Sequence, residues 1–429
     1  MLGKRHYSVV CAACGTRYED DGLILECPAP HEPAFLRTEY RAPCADAADS
    51  GLFRHAGLLP VARTFPDVGG PVVHPAGRLG RLLGLRRLWV AFSGYWPERG
   101  AFLTTGTFKE LEAYTVLGRL PEAAPVLVVA SAGNTAAAFA WAATLHRVPV
   151  LIVVPASALE RLRFPGPLDP RVRLVVLDGT ATYNDAIACA DRLARLPGHH
   201  PEGGCRNVGR RDGLGTVMLA AAQTLGRLPE VYVQAVGSGA GAIAAHEAAL
   251  RLCGDADGSP SSRVPRVLMC QNTPYAPLSH AWRGGTGPAP GRAVDVVAPE
   301  LTNCRPPFAV RGGVRDVLRE SGGEVLEADN EAALAAMALF GQTEGIDIEP
   351  GAGVALAALA EAASTGRVGR DELVLLNITG GGRARLSHDV SLTPAEPWLR
   401  VPWGPGSTAD DTAELVRRAL GQVPTPSGV

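Results

Sequence analysis

The stretch VLVVASAGNTAAAFAWAATLHRVPVLIVV, residues 126–154, decides how the chain is to be read. It is long and apolar, but Gly133, Asn134, His146, Arg147 and Pro149 interrupt it. It therefore predicts strand, helix and strand rather than a membrane span. The flanking apolar runs lack polar alternation, as strands do when both faces of a parallel sheet are covered. The same rhythm continues outward. Strands are expected at 87–92, 126–130, 150–154, 173–177, 231–236, 266–271, 324–328 and 372–378. Helical segments fall at 134–146, 182–195, 241–252, 329–340 and 352–364, which makes an α/β protein. Residues 253–265 and 284–298 are rich in Gly, Pro, Asp and Ser and read as surface loops. So does the tail after Pro402, apart from a short amphipathic helix near 410–420.

At 429 residues the chain exceeds what one hydrophobic core organises, so two or three domains are expected. Apolar residues at 46% and charged ones at 20% exclude a disordered chain. Basic and acidic residues number 41 and 43, so no strong field draws the protein to nucleic acid or a membrane surface. Fifty glycines without a G-X-Y period exclude collagen and point to tight turns and ligand loops. The N-terminal MLGKRHYSVVCAACG lacks a signal-peptide core, and nine cysteines is an odd number. A reduced, cytoplasmic location is expected.

The first 45 residues hold Cys11-x2-Cys14, then Cys27-x3-His31, with Cys44 further on. Two such knuckles offer three thiolates and one imidazole to a tetrahedral Zn²⁺. Gly15 permits the tight turn after the first knuckle, whereas CPAPH is a less usual second one. The alternative is a small hairpin with free thiols.

Ligands of open α/β sheets bind beyond the carboxyl ends of the strands. Three of the expected strands end in small polar or glycine-rich loops. VYVQAV runs into Gly237, Ser238, Gly239, Ala240 and Gly241, where backbone N–H groups and a helix N-terminus converge on a phosphate. The pattern is G-x-G-x-G, which matches neither a Rossmann fingerprint nor a P-loop. VLVVA runs into Ser131, Ala132, Gly133, Asn134 and Thr135, a second anion-ready helix start. ELVLLNI runs into Thr379, three glycines, and then Arg383 and Arg385. Close helix–strand packing explains one glycine loop; three in one chain point to a ligand. The fourth element is Thr105-Gly106-Thr107-Phe108-Lys109-Glu110, in a chain where lysine is scarce. Desolvation and a nearby cation would make Lys109 a nucleophilic amine suited to a Schiff base. Alone, it would read as a surface lysine at a helix start.

Together these segments resemble a fold-type II pyridoxal-phosphate (PLP) enzyme of the threonine synthase and cysteate synthase family. The order matches: TGTFKE, SAGNTAAAFA, GSGAG, and a C-terminal strand ending in Thr. TEGIDIEPGAGVALAAL (343–359) is similar to that superfamily's substrate-side segment, and the resemblance spans roughly residues 5–390. The arm, followed by HEPAFLRTEY and GLFRHAGLLPV, stands nearer to cysteate synthases than to typical threonine synthases. The resemblance implies a tryptophan synthase β-like fold. It has two open twisted α/β lobes with the cofactor between them, and a small zinc-ribbon-like arm. The implied divisions are 1–45 for the arm, 46–112 with 226–429 for the large PLP-binding domain, and 113–225 for the small one.

By the same resemblance Lys109 would carry the Schiff base and shuttle the Cα proton. Asn134 would hydrogen-bond the 3′-oxygen of PLP, and backbone amides from Ser131 to Thr135 would receive the substrate α-carboxylate. Gly237 to Gly241 would hold the cofactor phosphate, and Thr379 would face the pyridine nitrogen. A hydroxyl there does not force that nitrogen to be protonated, which favours β-leaving-group chemistry over long-lived carbanions. The implied reaction is β-replacement, a transferase chemistry converting O-phospho-L-serine and sulfite to L-cysteate and phosphate. Both substrates are anions, so Arg383 and Arg385 are expected to bind them, with His280 and Arg283 as further candidates. Threonine synthase, a lyase acting on O-phosphohomoserine and water, is the alternative, although GGGRAR departs from its usual ending. A serine/threonine dehydratase-like lyase is a third reading. A non-catalytic PLP or amino-acid sensor is a fourth, since Glu110 stands where Asp is usual. A homodimer is expected.

Overall fold

The computed structural model describes residues 5–41, 51–131, 133–254, 263–286, 289, 291 and 295–422. Cys44, Ala132, residues 255–262 of one expected loop, parts of the other and residues 423–429 lie outside them. The chain forms two compact units, Met1–Arg119 with Gly204–Asp389, and Leu120–Gly203 with Val390–Val429. These limits depart from those expected. The arm is continuous with the first unit, residues 204–225 pack in that unit, and the tail belongs to the second.

In the first unit a six-stranded sheet runs in the order Glu324–Ala328, Arg266–Asn272, Val231–Ala235, Leu373–Ile378, Arg87–Phe92 and Val72–Pro75. It is parallel except for the last strand, an antiparallel edge. That edge carries Pro75, which a central strand would not tolerate. Val231–Ala235 and Leu373–Ile378 are buried along their whole length, which is why their sequences lack alternation. The arm adds a three-stranded antiparallel sheet, Arg17–Tyr18, Tyr7–Cys11 and Leu36–Tyr40. Its inward residues Tyr7, Val9, Cys11 and Leu36 share a small core with Val208.

The second unit holds a five-stranded, wholly parallel sheet. Its order is His199–Pro201, Val126–Ala130, Val150–Pro155, Val172–Leu177 and Leu399–Val401. Residues 126–154 fold as the expected strand, helix (Asn134–His146) and strand. Arg147 ends that helix in the left-handed conformation at φ 55°. The tail joins this unit because Leu399–Val401 extends its sheet and Val416 enters its core. No helix among the described residues is long and apolar enough to cross a membrane.

Two helices of the first unit position the site. Lys109–Arg119 buries every residue after Lys109, including Glu110, Glu112, Thr115 and Arg119. Val208–Leu225, capped by the Asn207 side chain, packs along it. The axes approach closely because Gly213 faces the lysine helix. A Cβ there would lie 2.6 Å from Thr115 Oγ1 and collide with the Leu111 carbonyl. Gly213→Ala should therefore lower the unfolding free energy by about 1–3 kcal/mol, as overpacked cores do. Urea titration checks this; an unchanged midpoint would contradict so close a contact.

Candidate active site

The turn before Lys109 is tied to the loop after the strand Leu373–Ile378. Phe108 N–H donates to the Thr379 carbonyl at 2.9 Å, and Gly381 N–H donates to the Gly106 carbonyl at 3.0 Å. Two of the four segments singled out in sequence are thus joined by backbone. Thr379 is half-buried at this junction. Lys109 opens its helix, and its Nζ lies 3.1 Å from Glu112 Oε2 and 5.0 Å from the Phe108 ring centre. The side chain is 22% exposed, so the amine is reachable. The direct neighbour of the amine is thus a carboxylate rather than a cation. The cation, Arg210, stands on that carboxylate's far side, 2.7 Å from Glu112 Oε1. The sequence contains two lysines, Lys4 and Lys109, so the choice of amine is narrow.

Glu110, flagged for its departure from Asp, clips the turn. Its carboxyl accepts the Thr105 backbone N–H and lies 3.5 Å from the Thr104 hydroxyl. Burial pushes it up to about 7, against the hydrogen bonds from Thr105 and Thr104.

The loop Gly237–Gly239 joins the strand Val231–Ala235 to the helix Ala240–Gly254. Gly239 has φ 83°, and a Cβ on it would come within 2.5 Å of Val314 Cγ2. A side chain on Gly241 would collide with the Gln234 amide. The loop is thus held with bare backbone at the start of a 15-residue helix, the geometry that suits a phosphate. A buried network lies below it. Tyr232 Oη donates to Gln234 Oε1 at 2.6 Å, and Asn377 Nδ2 donates to both at 2.8 and 3.1 Å. These bonds join the strand leading to the glycine loop with the strand leading to Thr379. Sequence reasoning missed them, although polar residues inside VYVQAV and LVLLNI were the available signal.

The arginines behave differently from one another. Arg383 lies beside the Lys109 turn, since a Cβ on Gly106 would be 3.4 Å from its Cγ. Its guanidinium pairs with Glu349, and its backbone N–H donates to Asp347 at 2.9 Å. Arg385 pairs with Glu98 and with Asp389 at the surface. Arg283, 64% exposed, pairs with Glu327 at 3.0 Å, and the His280 ring packs on Gly285.

In the second unit, Ser131 Oγ accepts the N–H groups of Gly133 and Ala136 at 3.0 and 2.9 Å. Asn134 and Thr135 open the helix Asn134–His146 from this turn. Arg161 stands against it, where a Cβ on Gly133 would meet its Cδ at 3.0 Å.

In the arm, the ligand atoms of Cys11, Cys14, Cys27 and His31 all lie within 4.8 Å of one another. Cys14 Sγ and Cys27 Sγ are 3.7 Å apart, and Cys11 Sγ is 3.3 Å from His31 Nε2. His31 Nδ1 sits 2.6 Å from the Glu32 carbonyl, which leaves Nε2 to face the thiols.

The accessible amine of Lys109, the bare glycine loop and the Thr379 hydroxyl fit PLP by their chemistry. Glu110 gives a prediction that does not depend on the cofactor. Its folded pKa is raised, so its contribution to stability is full below its ordinary 4.5 and is lost as pH rises through about 7. Glu110→Gln should gain on the parent by on the order of 1–3 kcal/mol between pH 4.5 and 8. Denaturant titrations at both pH values check it; a pH-independent difference would contradict the buried neutral acid.

Comparison with known proteins agrees with this geometry. Residues 68–380 match the family described as pyridoxal-phosphate dependent enzyme. The cysteate synthase of Methanoregula boonei is 46% identical, over 92% of this chain and 94% of that protein. The cysteate synthase of Methanoculleus marisnigri is 44% identical over 98% of each. Maize serine racemase shares the fold with a TM-score of 0.59 at 19% identity, covering 74% of this chain and 92% of its own. The chain belongs to the pyridoxal-phosphate-dependent enzyme family, within the group that contains these cysteate synthases.

Proposed function

We propose that the chain catalyses β-replacement on O-phospho-L-serine, with sulfite as nucleophile, giving L-cysteate and phosphate. The observation that carries this is the Lys109 amine, held at a helix start and tied by backbone to the Thr379 loop, in a chain similar throughout to cysteate synthases. Bound PLP supplies an electron sink for the pair released when the Cα–H bond breaks. Lys109 Nζ takes that proton and later returns it to the same carbon. Between the two transfers the Cβ–O bond to phosphate breaks and a Cβ–S bond to sulfite forms. Backbone amides from Gly237 to Gly241 would hold the cofactor phosphate, and the Thr379 hydroxyl would stand toward its ring nitrogen. By the resemblance, those of Ser131, Ala132, Gly133, Asn134 and Thr135 would receive the α-carboxylate, and the Asn134 side chain would hydrogen-bond the cofactor's 3′-oxygen.

Among the arginines, Arg383 is assigned to the substrate anions because it adjoins the Lys109 turn. Arg385 and Arg283 are matched by surface carboxylates and are assigned a weaker part. The reaction belongs in the cytoplasm, where thiols stay reduced.

For the arm we propose a structural Zn²⁺ on Cys11, Cys14, Cys27 and His31. A tetrahedral ion with Zn–S bonds of about 2.3 Å sets two sulfurs roughly 3.8 Å apart. The Cys14–Cys27 separation of 3.7 Å supports this.

Two experiments test these readings. Phosphoserine and phosphohomoserine are each offered sulfite, sulfide or water, and products are read by phosphate release and mass. Cysteate from phosphoserine plus sulfite is expected. Threonine from phosphohomoserine would overturn the assignment in favour of threonine synthase, and pyruvate with no sulfite dependence would favour a dehydratase. For the arm, metal analysis of freshly purified protein should find one zinc per chain, lost in a Cys14→Ser Cys27→Ser variant. Clearly substoichiometric zinc would sink the metal.

A further inference from the structure

The Glu112 carboxylate is fully buried, with a side-chain exposure of 0%. A lone carboxylate in such a place is costly, so its partners matter. One oxygen faces Arg210 Nη1 at 2.7 Å and the other faces Lys109 Nζ at 3.1 Å. The i, i+3 spacing on the helix puts Glu112 and Lys109 on one face. The helix itself is fixed at its far end by Arg119, which donates twice to Asp20 and once to Asn207. The backbone of Lys109 is therefore settled, and what remains free is its flexible four-carbon stem. That stem carries rotamer entropy, which a fixed anion at its tip removes.

We propose that Glu112 is a positioning residue for the Lys109 amine. It holds Nζ at a defined point and stabilises the ammonium formed when Nζ takes the substrate's Cα proton. In that step the Cα–H bond breaks, its electron pair stays with the substrate, and a new N–H bond places a positive charge beside the carboxylate. The return step reverses both changes. Arg210 fixes the carboxylate's orientation from behind. The proposal rests on the function assigned above only in taking Lys109 as the cofactor's amine.

Among the described residues, the charged groups on elements packed around the Lys109 turn can be named. They are Glu110, Glu112 and, at the far end, Arg119 on its own helix; Arg210, Arg211 and Asp212 on Val208–Leu225; and the Arg383–Glu349 pair beside Gly106, with Asp347 on the Arg383 backbone. The test uses the full chain loaded with PLP and titrates the visible absorbance of the lysine-bound cofactor without substrate. In Glu112→Gln the protonated lysine nitrogen loses its anion, so the pH midpoint should fall on the order of one unit. Turnover with phosphoserine and sulfite should drop on the order of tenfold, chiefly in kcat rather than KM. Glu112→Asp should recover most of the midpoint. Arg210→Gln, which removes the competing cation, should move it upward, and serves if Glu112→Gln does not fold. An unchanged midpoint in the charge-removing variants, with only lower stability, would make Glu112 a helix–helix ion pair and overturn the proposal. Failure of cysteate formation with the midpoint shifts intact would instead tell against the assigned substrates.

Discussion

A buried two-pronged ion pair, Arg119 with Asp20, holds the rest of the site in place. Arg119 Nε and Nη2 donate to the two Asp20 oxygens at 2.9 and 2.7 Å, and the arginine side chain is only 1% exposed. Burial alone would push the Asp20 carboxyl up, but the hydrogen bonds and charge of Arg119 outweigh it and leave it below the ordinary range. Losing one partner of such a pair strands the other in the interior at a cost of about 3–5 kcal/mol. Asp20 belongs to the segment between Cys14 and Cys27, and Arg119 ends the helix that begins with Lys109. The Cys/His arm and the Lys109 helix are thus two ends of one mechanical connection.

Further pairs extend it. Arg211 donates to Glu247 and, through its other nitrogens, to backbone carbonyls of Leu36 and Cys205. Asp212 takes hydrogen bonds from Thr38 and Tyr40 of the arm and pairs with Arg251 of the glycine-loop helix. Burial pushes the Glu247 carboxyl up, and the charges of Arg211, Arg37 and Arg251 bring it below its usual value. Three consecutive residues of one helix, Arg210, Arg211 and Asp212, so reach the lysine helix, the glycine-loop helix and the arm. The near balance of charge in the whole chain reflects internal pairing of this kind as well as a mixed surface.

The parts legible in the sequence were those with one dominant physical cause. Residues 126–154 gave strand, helix and strand because Gly133, Pro149 and Arg147 punctuate an otherwise apolar run. The glycine loop was legible because its glycines cluster directly after an apolar strand, and Gly239 at φ 83° sits where a side chain would be strained. The helix Val208–Leu225 was not foreseen: VGRRDGLGTVMLAAAQTL has glycines where helices touch and charges where ions pair, so no apolar stripe marks it. Tyr232, Gln234 and Asn377 were hidden for a related reason, since the bonds from Asn377 to the other two cross between strands. Arg383 and Arg385 looked equivalent as basic residues beside a promising loop, with Arg283 a further candidate. Their difference lies in Glu349, Glu98 and Glu327, which spacing along the chain does not reveal.

The chemistry converges on one nitrogen. On the function proposed above, the turn, the glycine loop and the buried ion pairs would hold the Lys109 amine where an electrophilic cofactor can be joined to it. Borohydride reduction of the PLP-loaded protein, followed by peptide mass mapping, reads this directly. A phosphopyridoxyl adduct on the Lys109 peptide alone is the expected result. An adduct on Lys4, or none on a protein that retains the cofactor, would contradict it.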